Sequence, residues 1–110
     1  MVIDILDYLG VSPKYVGYAY LIDGCVIACN LLKSSNKLSM KAIYNMLANK
    51  YHTRDICVEK NARVCIEGVF KNGIIKHINS IFENISTYYD DRPSNKLFFI
   101  TIVNYLNRSK

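Results

Sequence analysis

Apolar stripes and short polar breaks alternate along the chain, and the stripes repeat at helical spacing throughout. Residues 2–9 carry Ile3, Ile5, Leu6 and Leu9 and stop at Gly10, the pattern of a short helix closed by glycine. Ser12 and Pro13 follow as an N-cap and a first helical residue, where the missing proline N–H costs nothing. Residues 15 to about 32 are apolar nearly all round, with Asp23 as the one charge. Such a helix is either central to a domain or spans a membrane. Gly17, Gly24, Asp23, Asn30 and the short length favour the central helix. The polar run KSSN at residues 33–36 reads as a loop.

Residues 39–73 hold the most informative pattern. Ser39 reads as the N-cap of a helix over about residues 40–51, with Ile43, Met46 and Leu47 at helical spacing and Tyr44 and Tyr51 beside them. His52 breaks that pattern as a turn residue, and Thr53 reads as a second N-cap. A longer helix follows over about residues 54–72. Asp55 and Glu59 lie in its first turns, where carboxylates complement the macrodipole, and Gly73 stands where a left-handed terminal residue is expected. A connection of one to three residues makes the two helices cross sharply, the pattern of a helix-turn-helix. In the second helix Val58, Ala62, Cys65, Ile66, Val69 and Phe70 form the core stripe.

The rest of the chain adds two helices. Ile74, Ile75, Ile78, Ile81 and Phe82 predict a short amphipathic one through Lys76 and His77, with His77 as a solvated residue. Residues 83–93 have no periodicity and read as a loop. Ser94 caps a last helix over about residues 95–107, whose broad apolar surface argues for self-association. The expected fold is all-α, a single domain over residues 1–110 with about six helices around a central helix-turn-helix, winged-helix-like without a clear wing.

Charge changes the reading of the central pair. Between Lys33 and Lys76 nine basic residues stand against three acidic ones, a net +6 in a chain whose total is +5. That concentration is the electrostatic footprint of a phosphate-binding surface. In a helix-turn-helix the exposed residues at the start of the second helix reach base edges. Lys60 and Arg63 suit guanine edges or phosphates, Glu59 the cytosine amine and Asn61 adenine. Lys41, Lys50, Thr53, Arg54 and Lys71 are the candidate phosphate contacts. The bland alternative is a set of solvated charges on an amphipathic helix.

Composition narrows the class. A chain of 110 residues with 51% hydrophobic content supports one globular core. Asp4 and Asp7 sit where a secretory signal needs basic residues, and the four irregularly spaced cysteines read as free thiols in a reducing cytoplasm. Cys25 and Cys29 are one helical turn apart, yet a CxxxC in an apolar helix is poor evidence for zinc, and no metal or cofactor is expected. Cys57, expected to be exposed beside Lys60 near a helix N-terminus, is a candidate redox-sensitive position. No nucleophile–base pair, phosphate loop or carboxylate dyad stands out, so an enzyme is not expected.

The segments LGVSPKYVGYAYL, NKYHT, VEK..R..IE.....G, INSIF and RPSNKLFF together give the chain a family likeness. From Ile3 to Leu106 it resembles the C-terminal DNA-binding domain of stage zero sporulation protein A, a response regulator of sporulation. The resemblance implies a six-helix fold, a short double-stranded DNA box as target, no membrane or small-molecule substrate, and a cytoplasmic, nucleoid-associated place. It also implies head-to-tail homodimers on tandem sites through the last helix, with Leu97, Phe98, Thr101 and Tyr105 as the contact residues. The family's Arg-Val-Glu-Arg reading pattern falls on Cys57, Val58, Glu59 and Lys60, which makes Cys57 a candidate base-reading position, and Arg63 matches a further family arginine. Glu59 is kept, Lys60 keeps charge without the bidentate fork, and Cys57 loses both. The family's phospho-receiver domain is not within these residues, which leaves a piece of a longer regulator or a stand-alone relative. The rival reading is a helical protein-interaction module that kept the fold and lost DNA reading.

Overall fold

Six helices account for the stripes in the sequence. In the structure, a computed structural model describing residues 2–35, 37–82 and 94–108, they are α1 (Val2–Leu9), α2 (Gly17–Ser35), α3 (Met40–Lys50), α4 (Asp55–Asn72), α5 (Ile75–Ile81) and α6 (Asn95–Arg108). No strand occurs among the described residues.

Local chemistry explains most of the boundaries. Gly10 ends α1 at φ +90°, and the amide of Val11 bonds back to the Leu6 carbonyl at 2.9 Å. The Ser12 Oγ accepts from the Lys14 amide at 3.3 Å. That bond closes a local turn rather than capping the next helix, so α2 begins at Gly17 and not at Tyr15. At its other end α2 continues through Ser35, so the polar run expected as a loop is largely the helix's last turn. Polarity there reports solvent, and no glycine or proline stops the helix. Residues 83–93, expected as a loop, lie outside the described residues.

The apolar character of α2 follows from its place. It packs against α1, α3, α4 and α6, with Leu21, Cys25 and Ala28 fully enclosed. Burial pushes the Cys25 thiol up, and the nearby Cys29 adds to the rise, as expected of a cysteine acting as a small hydrophobe. No helix among the described residues is long and apolar enough to cross a membrane. The α4 stripe is buried at Val58, Ala62, Cys65, Ile66 and Val69, with Phe70 half-buried against the same core.

Two expectations are corrected at the helix ends. Gly73 is extended, with φ −76° and ψ −178°, rather than left-handed. Close approach explains the glycine: a Cβ there would lie 2.4 Å from the Val69 carbonyl oxygen and 2.8 Å from that of Leu9. His77 is half-buried rather than solvated. Its ring stacks on Tyr8 at 3.8 Å, and its Nδ1–H donates to the Tyr8 carbonyl at 2.7 Å, tying α5 to α1.

The expected cap of α6 is present, since Ser94 Oγ accepts from the Leu97 amide at 3.2 Å. Phe98, expected at a contact between copies, is instead completely buried. Its ring stacks on Phe82 at 5.5 Å and meets Phe99 edge-on at 6.3 Å, because the inner face of α6 supplies the aromatic centre of the core. Leu97 on the outer face is exposed, while Thr101 and Tyr105 are half-buried.

Candidate nucleic-acid interface

Two helix ends and the four residues between them position the exposed face of α4. Ser39 caps α3 as the sequence predicts, its Oγ accepting from the Ala42 amide at 3.2 Å. The Tyr51 amide closes α3 on the Leu47 carbonyl at 2.9 Å, and His52 then turns the chain with φ +54°. A left-handed non-glycine residue is uncommon and is tolerated best by short polar or imidazole side chains. The Thr53 amide donates to the Ala48 carbonyl at 2.9 Å, which folds the turn back under α3.

Thr53 is therefore part of the turn and not the cap. The N-cap of α4 is Arg54, extended at φ −105° and ψ 153°, with no side-chain cap bond. The connection spans residues 51–54, longer than the one to three residues expected. The Asn45 amide, with its nitrogen turned toward Asp55, donates to that carboxylate and links the two helices beside the turn.

On α4 the structure brings Glu59, Lys60 and Arg63 to one solvent side. Glu59 Oε1 and Arg63 Nη1 stand 3.9 Å apart, one helical turn from each other. An exposed pair of this kind contributes little stability. Its value is geometric, since the carboxylate steers the guanidinium along the helix. Cys57 and Asn61 sit at the margin of this side, both half-buried. The Asn61 Nδ2 donates to the Cys57 carbonyl at 2.8 Å, so one of its donors is already committed to its own helix. Cys57 is thus less exposed than the sequence suggested.

The candidate phosphate contacts differ in their freedom. Lys41, Arg54 and Lys71 are exposed, at the first turn of α3 and at the two ends of α4, and Thr53 is half-buried. Lys50 is held: its Nζ stands 2.8 Å from Asp23 Oδ2, which also accepts from the Tyr51 hydroxyl. Burial alone would raise the Asp23 carboxyl. The hydrogen bonds from Lys50 and Tyr51, with the Lys50 charge, outweigh it and hold the group below its usual value. The Tyr51 phenol is pushed up to about 12, first by its bond to Asp23 and then by burial.

Asp23, read from the sequence as an argument against a membrane span, is therefore the anchor between α2 and the end of α3. Lys41→Ala should reduce the slope of binding against salt by about 0.9, one phosphate's worth of counterion release. Lys50→Ala should reduce it by less, because Asp23 already compensates that charge. Titrations of each variant with one duplex across a salt series measure the difference.

A further residue ties the last helix to this region. Asn95, at the start of α6, is almost fully buried, and its Nδ2 donates to the Tyr44 hydroxyl at 3.1 Å and to the Glu59 backbone carbonyl at 3.2 Å. Burial raises the Tyr44 phenol, the first of several influences on it. Between α3, α4 and α6 lies an open hollow of about 340 Å³ bordered by Tyr44, Glu59, Arg63, Asn95 and Lys96. Nothing in the sequence pattern distinguished Asn95 from an ordinary first-turn residue.

No group of three metal-ligating side chains occurs among the described residues. What the arrangement offers is a helix-turn-helix with basic and acidic groups aligned on the free side of its second helix. The family model described as sporulation initiation factor Spo0A C terminal matches residues 2–106.

Proposed function

Because the chain belongs to the family of the sporulation initiation factor Spo0A C-terminal domain, we propose that it is a transcription regulator that binds double-stranded DNA sequence-specifically with α4 in the major groove. One observation carries the reading: Glu59, Lys60 and Arg63 share the solvent side of the second helix of a helix-turn-helix, inside the segment of net +6. Lys60 and Arg63 supply donors for guanine edges and Glu59 an acceptor for the cytosine amine. Cys57 and Asn61 are secondary members at the margin. Lys41, Arg54 and Lys71 supply phosphate contacts that set the register without reading sequence. The whole chain acts as one domain, and two copies meet on tandem sites through the outer face of α6, with Leu97 and Thr101 rather than Phe98 at the contact.

The rival, an interaction module without DNA reading, draws support from the Glu59–Arg63 pair and from Cys57 standing where the family has arginine. Against it stands the concentrated positive charge, which a protein freed from DNA has no need to keep. Selection of bound sequences from a randomised duplex pool, with thiols reduced and at moderate salt, separates the two. An enriched short motif supports the specific reader, binding without enrichment leaves a phosphate-only binder, and no binding favours the rival.

Within that experiment Glu59→Ala should relax preference at one base position, by about 1–3 kcal/mol of discrimination. Cys57→Arg should restore the family's charged fork and move the enriched motif at one neighbouring position. An unchanged profile for both variants would count against the assigned register of α4.

A further inference from the structure

We infer that Ile56 is a thymine reader: its side chain packs against the C5-methyl group of a thymine in the major groove. The inference rests on the DNA-reading function proposed above and adds a contact of a different chemical kind. Ile56 is the second residue of α4 and 67% exposed, the highest value among the large hydrophobic side chains of the described residues. Single exposed apolar residues are common and usually carry no meaning. Three features set this one apart.

The first is position. The N-terminal turn of the second helix is the part of a helix-turn-helix that reaches base edges, and Ile56 occupies that turn. The second is alignment. Ile56, Lys60 and Arg63 lie at i, i+4 and i+7, so they share one helix face, and whatever Lys60 and Arg63 address lies within reach of Ile56. The third is local cost. A β-branched residue is a poorer helix former than most, and this one stands outside the hydrophobic core.

The partner is set by charge and chemistry together. Lys60 follows Ile56 by one helical turn, Arg54 stands at the N-cap, and Asp55 and Glu59 add carboxylates nearby. That polar setting disfavours an apolar protein partner, while the net positive segment around it matches a polyanion. The apolar group a major groove presents is the thymine methyl. An isoleucine on the face of Lys60 and Arg63 and placed against base edges therefore discriminates thymine from cytosine by contact with that methyl.

The test replaces thymine by uracil, which removes the methyl and leaves the pairing edge unchanged. Each thymine of the selected duplex is replaced in turn, and affinities are measured for the unaltered chain, for Ile56→Ala and for Ile56→Val. At one position the unaltered chain should lose about fourfold in affinity, the factor carried by one buried methyl group. Ile56→Ala should show no further loss there, and Ile56→Val should keep most of the discrimination.

Equal affinity for thymine and uracil at every position overturns the inference while leaving specific DNA reading intact. The same loss in Ile56→Ala as in the unaltered chain assigns the methyl contact to another residue and also overturns it. Absence of any preferred duplex overturns the function on which it rests. The uracil series on the unaltered chain stands even if a variant fails to fold.

Discussion

Phe98→Ala should lower folding stability by about 3–5 kcal/mol, the range for emptying an aromatic site in a closed core. The side chain has no solvent exposure and joins three elements of the aromatic centre: Phe82 stacks on it, Phe99 meets it edge-on, and Phe70 meets Phe82 in turn at 5.4 Å. Rings in such contacts contribute beyond their buried area, and the surrounding helices cannot collapse fully into the space left. For a domain of this size the melting temperature should fall on the order of 10–20 °C. Leu97→Ala is the matched control. Leu97 is 44% exposed on the outer side of the same helix, so its loss should change stability by about 0.5 kcal/mol and affect contacts between copies. Thermal melts followed by circular dichroism, with sedimentation of both variants, separate the two roles. A small loss for Phe98→Ala would mean that the ring is not where the structure puts it.

Gly17→Ala should be the second severe substitution, against the usual sign for a helical glycine. Alanine ordinarily stabilises a helix relative to glycine by about 0.5–1 kcal/mol. Here the added Cβ would stand 2.2 Å from the Asn61 carbonyl oxygen and 3.0 Å from the Cys65 Cβ. Both neighbours belong to α4, and a backbone carbonyl cannot swing aside as a side-chain tip can. The two helices must therefore separate at their closest approach, and overpacking of this kind costs about 1–3 kcal/mol.

The damage should extend beyond stability, because the displaced turn of α4 is the one carrying Lys60 and Arg63. Urea denaturation and duplex affinity should fall together in Gly17→Ala. Gly68→Ala gives the contrast. Its Cβ would first meet the Tyr15 ring at 3.3 Å, a side chain that can give, so stability should hold or rise slightly. Equal behaviour of the two variants would show that α2 and α4 are not in the tight contact described.

The helices were legible because their signals are local. Ser39 and Ser94 cap the elements they precede, Gly10 ends the first helix, and the α4 stripe from Val58 to Val69 faces the core as its spacing predicts. What failed depends on how the chain closes its turns and packs. The N-cap of α4 moved from Thr53 to Arg54 because the Thr53 amide turns back to Ala48. Gly73 serves a close approach by Leu9 rather than a left-handed turn, and a lone glycine code does not distinguish those uses. Phe98 was expected at a contact between copies because the family likeness places that contact on α6, and a helix apolar on more than one side does not show by its spacing which side is buried.

In the candidate site, the residues of the free side of α4 could be named from the helix pattern and the family likeness. The commitments of Lys50 to Asp23, of Asn61 to Cys57 and of Asn95 to the Glu59 carbonyl could not. The first and the last are bonds whose partners packing brings together, and the second is a choice of side-chain rotamer within one helix. The interest of Ile56 lies in its exposure, which no spacing in the sequence shows.

The placement of α2 between four other helices has a kinetic corollary. Its peptide hydrogens around Leu21, Cys25 and Ala28 should exchange with solvent deuterium slowly, since α1, α3, α4 and α6 pack over the buried side of the helix. Exchange in the middle of α2 therefore clocks the opening of the entire molecule. The seven-residue α5 packs against α1 and α6 and can loosen by itself, so its amides mark a faster, partial opening. The buried helix and the peripheral one thus act as two clocks in one chain, and the gap between their rates measures how cooperatively it comes apart.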